Sequence, residues 1–220
     1  ATELVVSTAH DKLRCETEPV PIEEIADSHR ALKGAMVRQE VYGHSRVGNT
    51  WQLETVPFTV TESSYRAVRR QPALAALGSE HPKHPAVFQS LPLETRTHTY
   101  DRVESDPRVH QWVALRHDDD YGDVLVAVAL AYARRATPLA TAAAAAGTTL
   151  DEQQRVYALV TETEVGHATA GGYRLSIPIE TRACELTQFA LGTSAPMTRD
   201  ALIAKYEAAL VAGIVPYHLA

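Results

Sequence analysis

Apolar and polar positions alternate with a period of two over much of this chain, most clearly between residues 97 and 135. Val124, Val126, Val128, Leu130 and Tyr132 fall on one side of an extended segment, and Leu125, Ala127, Ala129 and Ala131 on the other. Large side chains on one face and mostly small ones opposite predict a strand covered on one side and closely approached on the other. Residues 109–117 place Val109, Val113 and Leu115 together with Trp112 opposed. The connection 118–123 carries Gly122 where a positive φ is useful, so a central hairpin is expected over 108–133.

Residues 58–70 continue the period, with Phe58, Val60, Glu62, Ser64, Arg66 and Val68 facing one way and Thr59, Thr61, Ser63, Tyr65 and Ala67 the other. β-branched and aromatic residues suit such a pleated surface. Residues 35–42 also alternate, and Val47-Gly48-Asn49 predicts a turn before Trp51. Pro72, Gly78, Pro82 and Pro85 predict a loop with one helical turn, and a strand follows from 85. Strands are expected again over 154–165, 173–176 and 181–187, with a turn at Gly171-Gly172. In the strand near 95–100, Thr95, Thr97 and Thr99 face one way and Arg96, His98 and Tyr100 the other. Polar residues on both faces predict either a surface edge or a sheet wetted on both sides.

Helical spacing is confined to short stretches. Ile22, Ile25, Ala26, His29 and Leu32 form the expected stripe of a first helix, with Glu23 and Glu24 in its first turn and Gly34 at its stop. Thr198 caps a second helix over 198–212, with Leu202, Ile203, Tyr206 and Leu210 as its stripe and Gly213 as its stop. The alanine-rich stretch 136–150 is a linker or a short helix. The fold class is therefore mainly β, antiparallel hairpins and sheets with two short α-helices. The expected division is a lead-in segment and helix over 1–34, an antiparallel β region over 35–135, the alanine-rich stretch 136–150, and a β segment over 151–220 ending in the second helix. An internal echo joins two regions: Leu91-Pro-Leu-Glu-Thr-Arg and Ile177-Pro-Ile-Glu-Thr-Arg, each proline expected just before a strand.

Composition narrows the partners. The 220 residues carry 21 basic and 27 acidic side chains, a net charge of −6 that argues against nucleic acid. No apolar run is long enough to cross a bilayer as a helix, so direct membrane insertion is not expected. No basic start with an apolar core is visible, and the chain begins at Ala1, as a processed product or an excised fragment would. Cys15 and Cys184 form no motif and are expected as free thiols.

Candidate chemistry is sparse. Asp118-Asp119-Asp120 clusters oxygens as calcium requires, but no Glu closes a helix-loop-helix calcium pattern, and consecutive aspartates are ordinary turn chemistry. His81 and His84 lack the further ligands of a zinc set. Glu162-Thr163-Glu164 resembles the Glu-x-Glu pair of ADP-ribosylating toxins, yet the Ser-Thr-Ser strand of such sites is missing, and a solvated strand face is expected. Ser28 and His29 are helix neighbours that point apart. The doublets Arg69-Arg70 and Arg134-Arg135 are expected as solvated edge charges. No catalytic residue, cofactor site or metal site is assigned, and no enzyme is expected.

The chain resembles the B component of the bacterial insecticidal ABC (Tc) toxin complexes, in the region after its propeller that leads into the RHS (YD-repeat) shell. The segments that carry the likeness are Arg30-Ala-Leu-Lys-Gly-Ala-Met-Val-Arg-Gln-Glu-Val-Tyr, Pro57-Phe-Thr-Val-Thr-Glu with Tyr65 and Gln71-Pro72, and Ala86-Val-Phe. They continue with Tyr100-Asp-Arg, Asp106-Pro-Arg-Val, Asp120-Tyr-Gly-Asp-Val and Ala131-Tyr-Ala-Arg-Arg. The last are Tyr173-Arg-Leu, Pro178-Ile-Glu-Thr-Arg with Glu185-Leu-Thr, and Ile214-Val-Pro-Tyr-His-Leu-Ala. Gly122-Asp123 departs from the usual Gly-Asn, and 66–70 from a more apolar strand. The resemblance implies a secreted structural fragment. It would form part of a shell that the B and C components close around the toxic C-terminal region of C, docked on the pore-forming A component. The self-cleaving aspartates and the toxin enzyme belong to C in that family, so no catalytic residue carries over. Other readings are a carbohydrate- or receptor-binding β module, with Trp51, Trp112 and tyrosines stacking on sugars, and an ADP-ribosylating enzyme.

Overall fold

The computed structural model describes residues 3–6, 14–16, 21–75, 82–100, 104–148, 150–168, 174–187, 189–212 and 215–216. Of residues 3–6, 14–16, 75, 82–83, 211–212 and 215–216 only the backbone is described. The expected helical turn within 76–81, the turn at Gly171-Gly172, the stop at Gly213 and the side chain of Cys15 lie outside this description. The elements in chain order are β1 (Glu3–Val6), β2 (Arg14–Glu16), α1 (Ile22–Ala31), β3 (Arg38–Val41), β4 (His44–Val47), β5 (Thr50–Leu53), β6 (Thr59–Gln71), β7 (Leu74–Ala75) and β8 (Pro82–His84). They continue with β9 (Val87–Thr99), β10 (Arg108–His117), β11 (Val124–Ala131), α2 (Ala136–Ala146), a 3₁₀ turn (Asp151–Gln154), β12 (Tyr157–Ala168), β13 (Arg174–Glu185), α3 (Arg199–Ala212) and β14 (Val215–Pro216). The mainly antiparallel β class is what the chain adopts, and the alanine-rich stretch resolves as the helix α2. Its C-cap Gly147 has φ 61°, the left-handed region in which glycine carries no Cβ penalty.

Two compact units divide the chain: Ala1–Arg38 with Glu62–Glu94, and Gln39–Thr61 with Thr95–Ala220. In the first unit β1 pairs antiparallel with both β2 and β6, and β7 pairs with β8. That small ladder replaces part of the loop expected around Pro72 and Pro82. Burial along β6 comes in neighbouring pairs, Ser63 with Ser64 and Ala67 with Val68. The extended segment expected over 58–70 is the strand β6, and both of its faces are covered at points.

The first helix is inverted relative to its expected stripe. Ile22 is 84% exposed, and Ala26 and His29 also face solvent, while Glu24, Asp27 and Ser28 are buried. The polar face is the inner one because each group finds a partner, which removes most of the cost of burying it. Arg69 Nη1 donates to Glu24 Oε2 at 2.7 Å, the Ala73 N–H to Glu24 Oε1 at 3.0 Å, and the Ala86 N–H to Asp27 Oδ2 at 3.0 Å. Ser28 Oγ donates to the Ile25 carbonyl at 2.7 Å, the back-bond a buried helical serine makes.

In the second unit the strand order is β14-β13-β12-β11-β10-β9, with antiparallel pairing from β10 through β14. Val109, Val113, Leu115, Val126, Val128, Leu130, Tyr132, Ala158, Val160 and Leu186 form the core with Leu202 of α3. The side-chain parity predicted for β10 and β11 is the one observed. Ile203, Tyr206 and Ala209 complete the packed stripe of α3, while Leu210 is 52% exposed. At 100° per residue, position 209 returns to within about 20° of 202 and position 210 swings about 80° away, which corrects the predicted stripe. Thr198 caps α3 as expected, its Oγ1 accepting from the Ala201 N–H at 3.3 Å.

Pro92 and Pro178 lie inside β9 and β13 rather than before a strand. Pro178 pairs with Val165 beside a register shift in the β12–β13 ladder, an irregularity at which a strand tolerates a residue without a donor. β13 also runs unbroken through the gap expected between 176 and 181. β9 lies between β10 and β6 in the sheet order, which excludes the edge reading of its polar faces. Within the second unit the Thr61 and Thr97 hydroxyls stand 3.4 Å apart. β4 and β5 form a hairpin about the expected turn, with Val47 opposite Thr50 across Gly48 at φ 62°.

Candidate functional site

Four polar arrangements and one cleft are the candidates for chemistry among the described residues. The first is the junction of two turn tips. Gly122 has φ 80°, the conformation anticipated for the β10–β11 turn, which closes through Asp118 N–H to Asp123 O at 2.7 Å. The Tyr121 N–H donates to Asp118 Oδ2 at 2.7 Å. From the other hairpin, His167 of β12 packs against the Tyr121 ring at 4.2 Å between centroids, the two planes tilted by 39°. Its Nε2 lies 3.8 Å from both Asp118 Oδ2 and Asp123 Oδ2. These three side chains are the one group among the described residues that could surround a metal ion.

The hydrogen bonding argues against that use. The Ser176 N–H donates to His167 Nδ1 at 3.1 Å, so the proton of the neutral ring sits on Nε2. A metal needs a lone pair on Nε2, where this tautomer presents a hydrogen. Ser176 Oγ also donates to Asp123 Oδ2 at 2.8 Å, and Ser176 itself holds φ 57°. The cluster is a polar lock between hairpins, with Asp118 in turn chemistry as expected; Asp119 and Asp120 are exposed. His84 is exposed in β8, and His81 lies outside the described residues.

The second arrangement lies beneath α3. Tyr206 Oη donates to Glu162 Oε1 at 2.6 Å. Burial and then the Glu162 carboxylate push the Tyr206 phenol up to about 12. Burial likewise raises the thiol of Cys184, a free and buried cysteine. Glu162 is thus half-buried and partnered instead of solvated, whereas Glu164 is exposed. The pair does not converge on a cleft. Ser28 is buried and His29 exposed, so they point apart as expected.

The arginine doublets are the third. Arg69 binds Glu24 as described, and Arg70 Nε donates to Gln89 Oε1 at 2.7 Å. Arg134 Nε donates to the buried Asp106 at 2.8 Å, and the Arg135 N–H to the same carboxylate at 3.1 Å. The side chains of Arg69, Arg70 and Arg134 are internal ties, which corrects the solvated-edge expectation for them, while the Arg135 side chain is exposed as expected. A further polar network was not visible in the sequence. Buried Gln111 accepts from Tyr132 Oη and donates from Nε2 to the Met197 carbonyl at 2.8 Å, fixing the approach to α3.

The cleft opens on the face of β10–β12 away from α3 and measures about 770 Å³. Strand register aligns Trp112, Ala129, Leu159 and Glu185 in one row, and His110, Ala131 and Tyr157 in the next. The two alanines make the floor. Because neighbouring strands are about 4.8 Å apart, walls carried on β10 and β12 stand roughly 10 Å from each other. Tyr157 is 48% exposed, and its hydroxyl donates to Glu152, a bond that raises its phenol pKa. Trp112 is half-buried in this cleft. Trp51, by contrast, is 68% exposed on the β4–β5 hairpin.

Among the described residues of the second unit, β10–β12 form an antiparallel sheet that packs against α3 on one face and carries the cleft on the other. The chain matches the family described as the insecticide toxin TcdB middle/C-terminal region over residues 27–176, and it belongs to that family. Among solved structures it is similar to a chain of the TcdB2-TccC3-Cdc42 complex, with 25% identity and a TM-score of 0.66. It is equally similar to a chain of the TcdB2-TccC3-TEV complex, with 25% identity and a TM-score of 0.65. Each likeness covers 88% of this chain and 9% of the other, so the chain spans under a tenth of the solved chains it matches. No curated protein matches it.

Proposed function

We propose that the chain is a structural segment of a Tc toxin B component. It supplies a length of the wall that B and C components close around the toxic C-terminal region of C. The observation that carries this reading is the fold likeness over 88% of the chain to complexes named for TcdB2 and TccC3, together with family membership over 27–176. The physical design agrees with it. β10, β11 and β12 are hydrogen-bonded on both sides, so the interior of this sheet offers no free ladder groups on which an unfolded cargo could nucleate strand pairing. The ties at Asp106–Arg134 and at the hairpin tips stiffen the wall without forming a reaction centre.

On this reading the segment performs no catalysis, and the C component is both its shell partner and the source of the cargo. Docking on the pore-forming A component and secretion follow from the same assignment. No nucleic acid and no direct membrane insertion are involved. The charge of −6 supports the former, and among the described residues no helix is long and apolar enough to cross a membrane.

The test is limited trypsinolysis of a complete B component carrying this segment, co-expressed with its C component. The intact pair protects the C-terminal region of C, and replacement of 27–176 by a Gly-Ser linker exposes it to cleavage. Equal protection after replacement overturns the reading.

A further inference from the structure

We propose that the cleft between Trp112 and Tyr157 binds a short neutral oligosaccharide. Three features point to that ligand class, and none depends on the shell reading. The first is the pairing of aromatic walls with a bare floor. Trp112 and Tyr157 stand on β10 and β12, with Leu159 of β12 in the row of Trp112, and the strand between them contributes only the methyl groups of Ala129 and Ala131 to the cleft. The apolar face of a pyranose packs against such rings, and the alanine floor leaves it room. The Glu152 carboxylate anchors the Tyr157 hydroxyl and so fixes the ring.

The second feature is the polar complement. His110 and Glu185 lie in the same rows as the rings, and Thr95 and Thr97 of β9 line the β10 side. Imidazole, carboxylate and hydroxyl groups bordering an aromatic surface match ring hydroxyls, which both donate and accept. From β9 to β13 the cleft crosses four strand spacings, roughly 19 Å, a span of several linked hexoses rather than one.

The third is charge and backbone saturation. Among the described lining residues Glu185 is charged and none is Lys or Arg, so an anionic sugar meets repulsion without a counter-charge. An extended peptide gains most of its affinity by adding to a sheet edge. Here the floor strand β11 is already paired with β10 and β12. The structure also separates the two tryptophans that the sequence treats alike: Trp112 has a cleft, and Trp51 lies on an exposed two-stranded hairpin.

The full 220-residue chain with Trp51→Phe leaves Trp112 as its sole indole, so emission reports on the cleft alone. Cellotriose, maltotriose and chitotriose are titrated, with 3′-sialyllactose as the anionic control. The expected result is a saturable change in emission with at least one neutral trisaccharide and none with sialyllactose. Ala129→Leu fills the floor at an exposed strand position and abolishes the response while leaving circular dichroism and Tm unchanged. Tyr157→Ala, at a second exposed position, weakens it independently. No saturable response to any neutral trisaccharide overturns the proposal, as does an undiminished response in both variants. A response confined to the peptide Lys-Leu-Lys-Leu-Lys also overturns it and assigns a protein partner to the cleft.

Discussion

Arg134, just after β11, reaches back 28 residues to the carboxylate of Asp106, just before β10, with Nε donating at 2.8 Å. Asp106 is 4% exposed, and the Arg135 N–H occupies its other oxygen. The pair ties the beginning of the central hairpin to its end. Removing the cation alone leaves a buried carboxylate without its counter-charge, the costly way to break such a pair. Arg134→Ala is therefore expected to destabilise the chain by about 3 kcal/mol. The Asp106→Ala/Arg134→Ala double variant should lose less than the sum of the two single losses. Urea unfolding of the four proteins measures the coupling, and strict additivity would show that the tie contributes nothing.

Glu24 gives the first unit an acid-sensitive group. Burial pushes its carboxyl up, but the Ala73 N–H and the Arg69 guanidinium outweigh burial and hold it below the usual 4.5. With the folded value depressed, the unfolded chain binds more protons as the pH falls through about 4.5. The stabilisation is present above that pH and is lost as the pH drops on toward the folded value. Glu24→Gln should flatten this part of the stability profile below pH 4.5 while lowering stability at pH 7. Thermal melts across pH 3–7 with an unchanged acid slope in the variant would remove Glu24 from the account.

Parity within a strand was legible because it is local: every second residue of β11 shares a face whatever the partner. The turn at Gly122 was legible for the same reason, since φ is a property of one residue. The inner face of α1 was not. Ile22, Ile25 and Leu32 make a conventional stripe, and only Arg69, Ala73 and Ala86, 45 to 59 residues away, turn Glu24 and Asp27 inward. The cleft falls between these cases. The sequence showed that Trp112 and the alanines lie opposite the large apolar residues of their strands. It could not show that Trp112 aligns with Ala129 and Leu159, because that row depends on the register of three strands.

Tyr206 makes the opposite prediction to Glu24 on the alkaline side. Its folded pKa of about 12 lies above the ordinary tyrosine value of 10, so the folded state keeps a proton that the unfolded chain gives up. Its contribution is complete below pH 10 and disappears as the pH rises from 10 to about 12. Tyr206→Phe removes that alkaline dependence and costs about 1 kcal/mol at neutral pH, because Glu162 loses its hydroxyl donor. Denaturant midpoints at pH 8, 10 and 11 that fall equally in both proteins would contradict the assignment.

The loop between β3 and β4 contains a packing constraint that one substitution can probe. A Cβ built on Gly43 would lie 2.4 Å from Phe58 Cε2 and 3.2 Å from Glu54 Oε2. The Gly43 carbonyl already accepts the Glu54 N–H at 2.9 Å, and the Val41 carbonyl accepts the Phe58 N–H at 2.7 Å. Backbone bonds on both sides hold the two segments together, so the Phe58 ring must give way if a methyl group is added. Gly43→Ala is accordingly expected to cost about 1–3 kcal/mol, the usual penalty for overpacking. Phe58→Leu in the same chain withdraws the ring atoms that clash and should recover part of that loss. A Gly43→Ala protein as stable as the parent in urea would mean that the ring moves aside freely. A loss undiminished by Phe58→Leu would place the strain in the backbone and not in the ring.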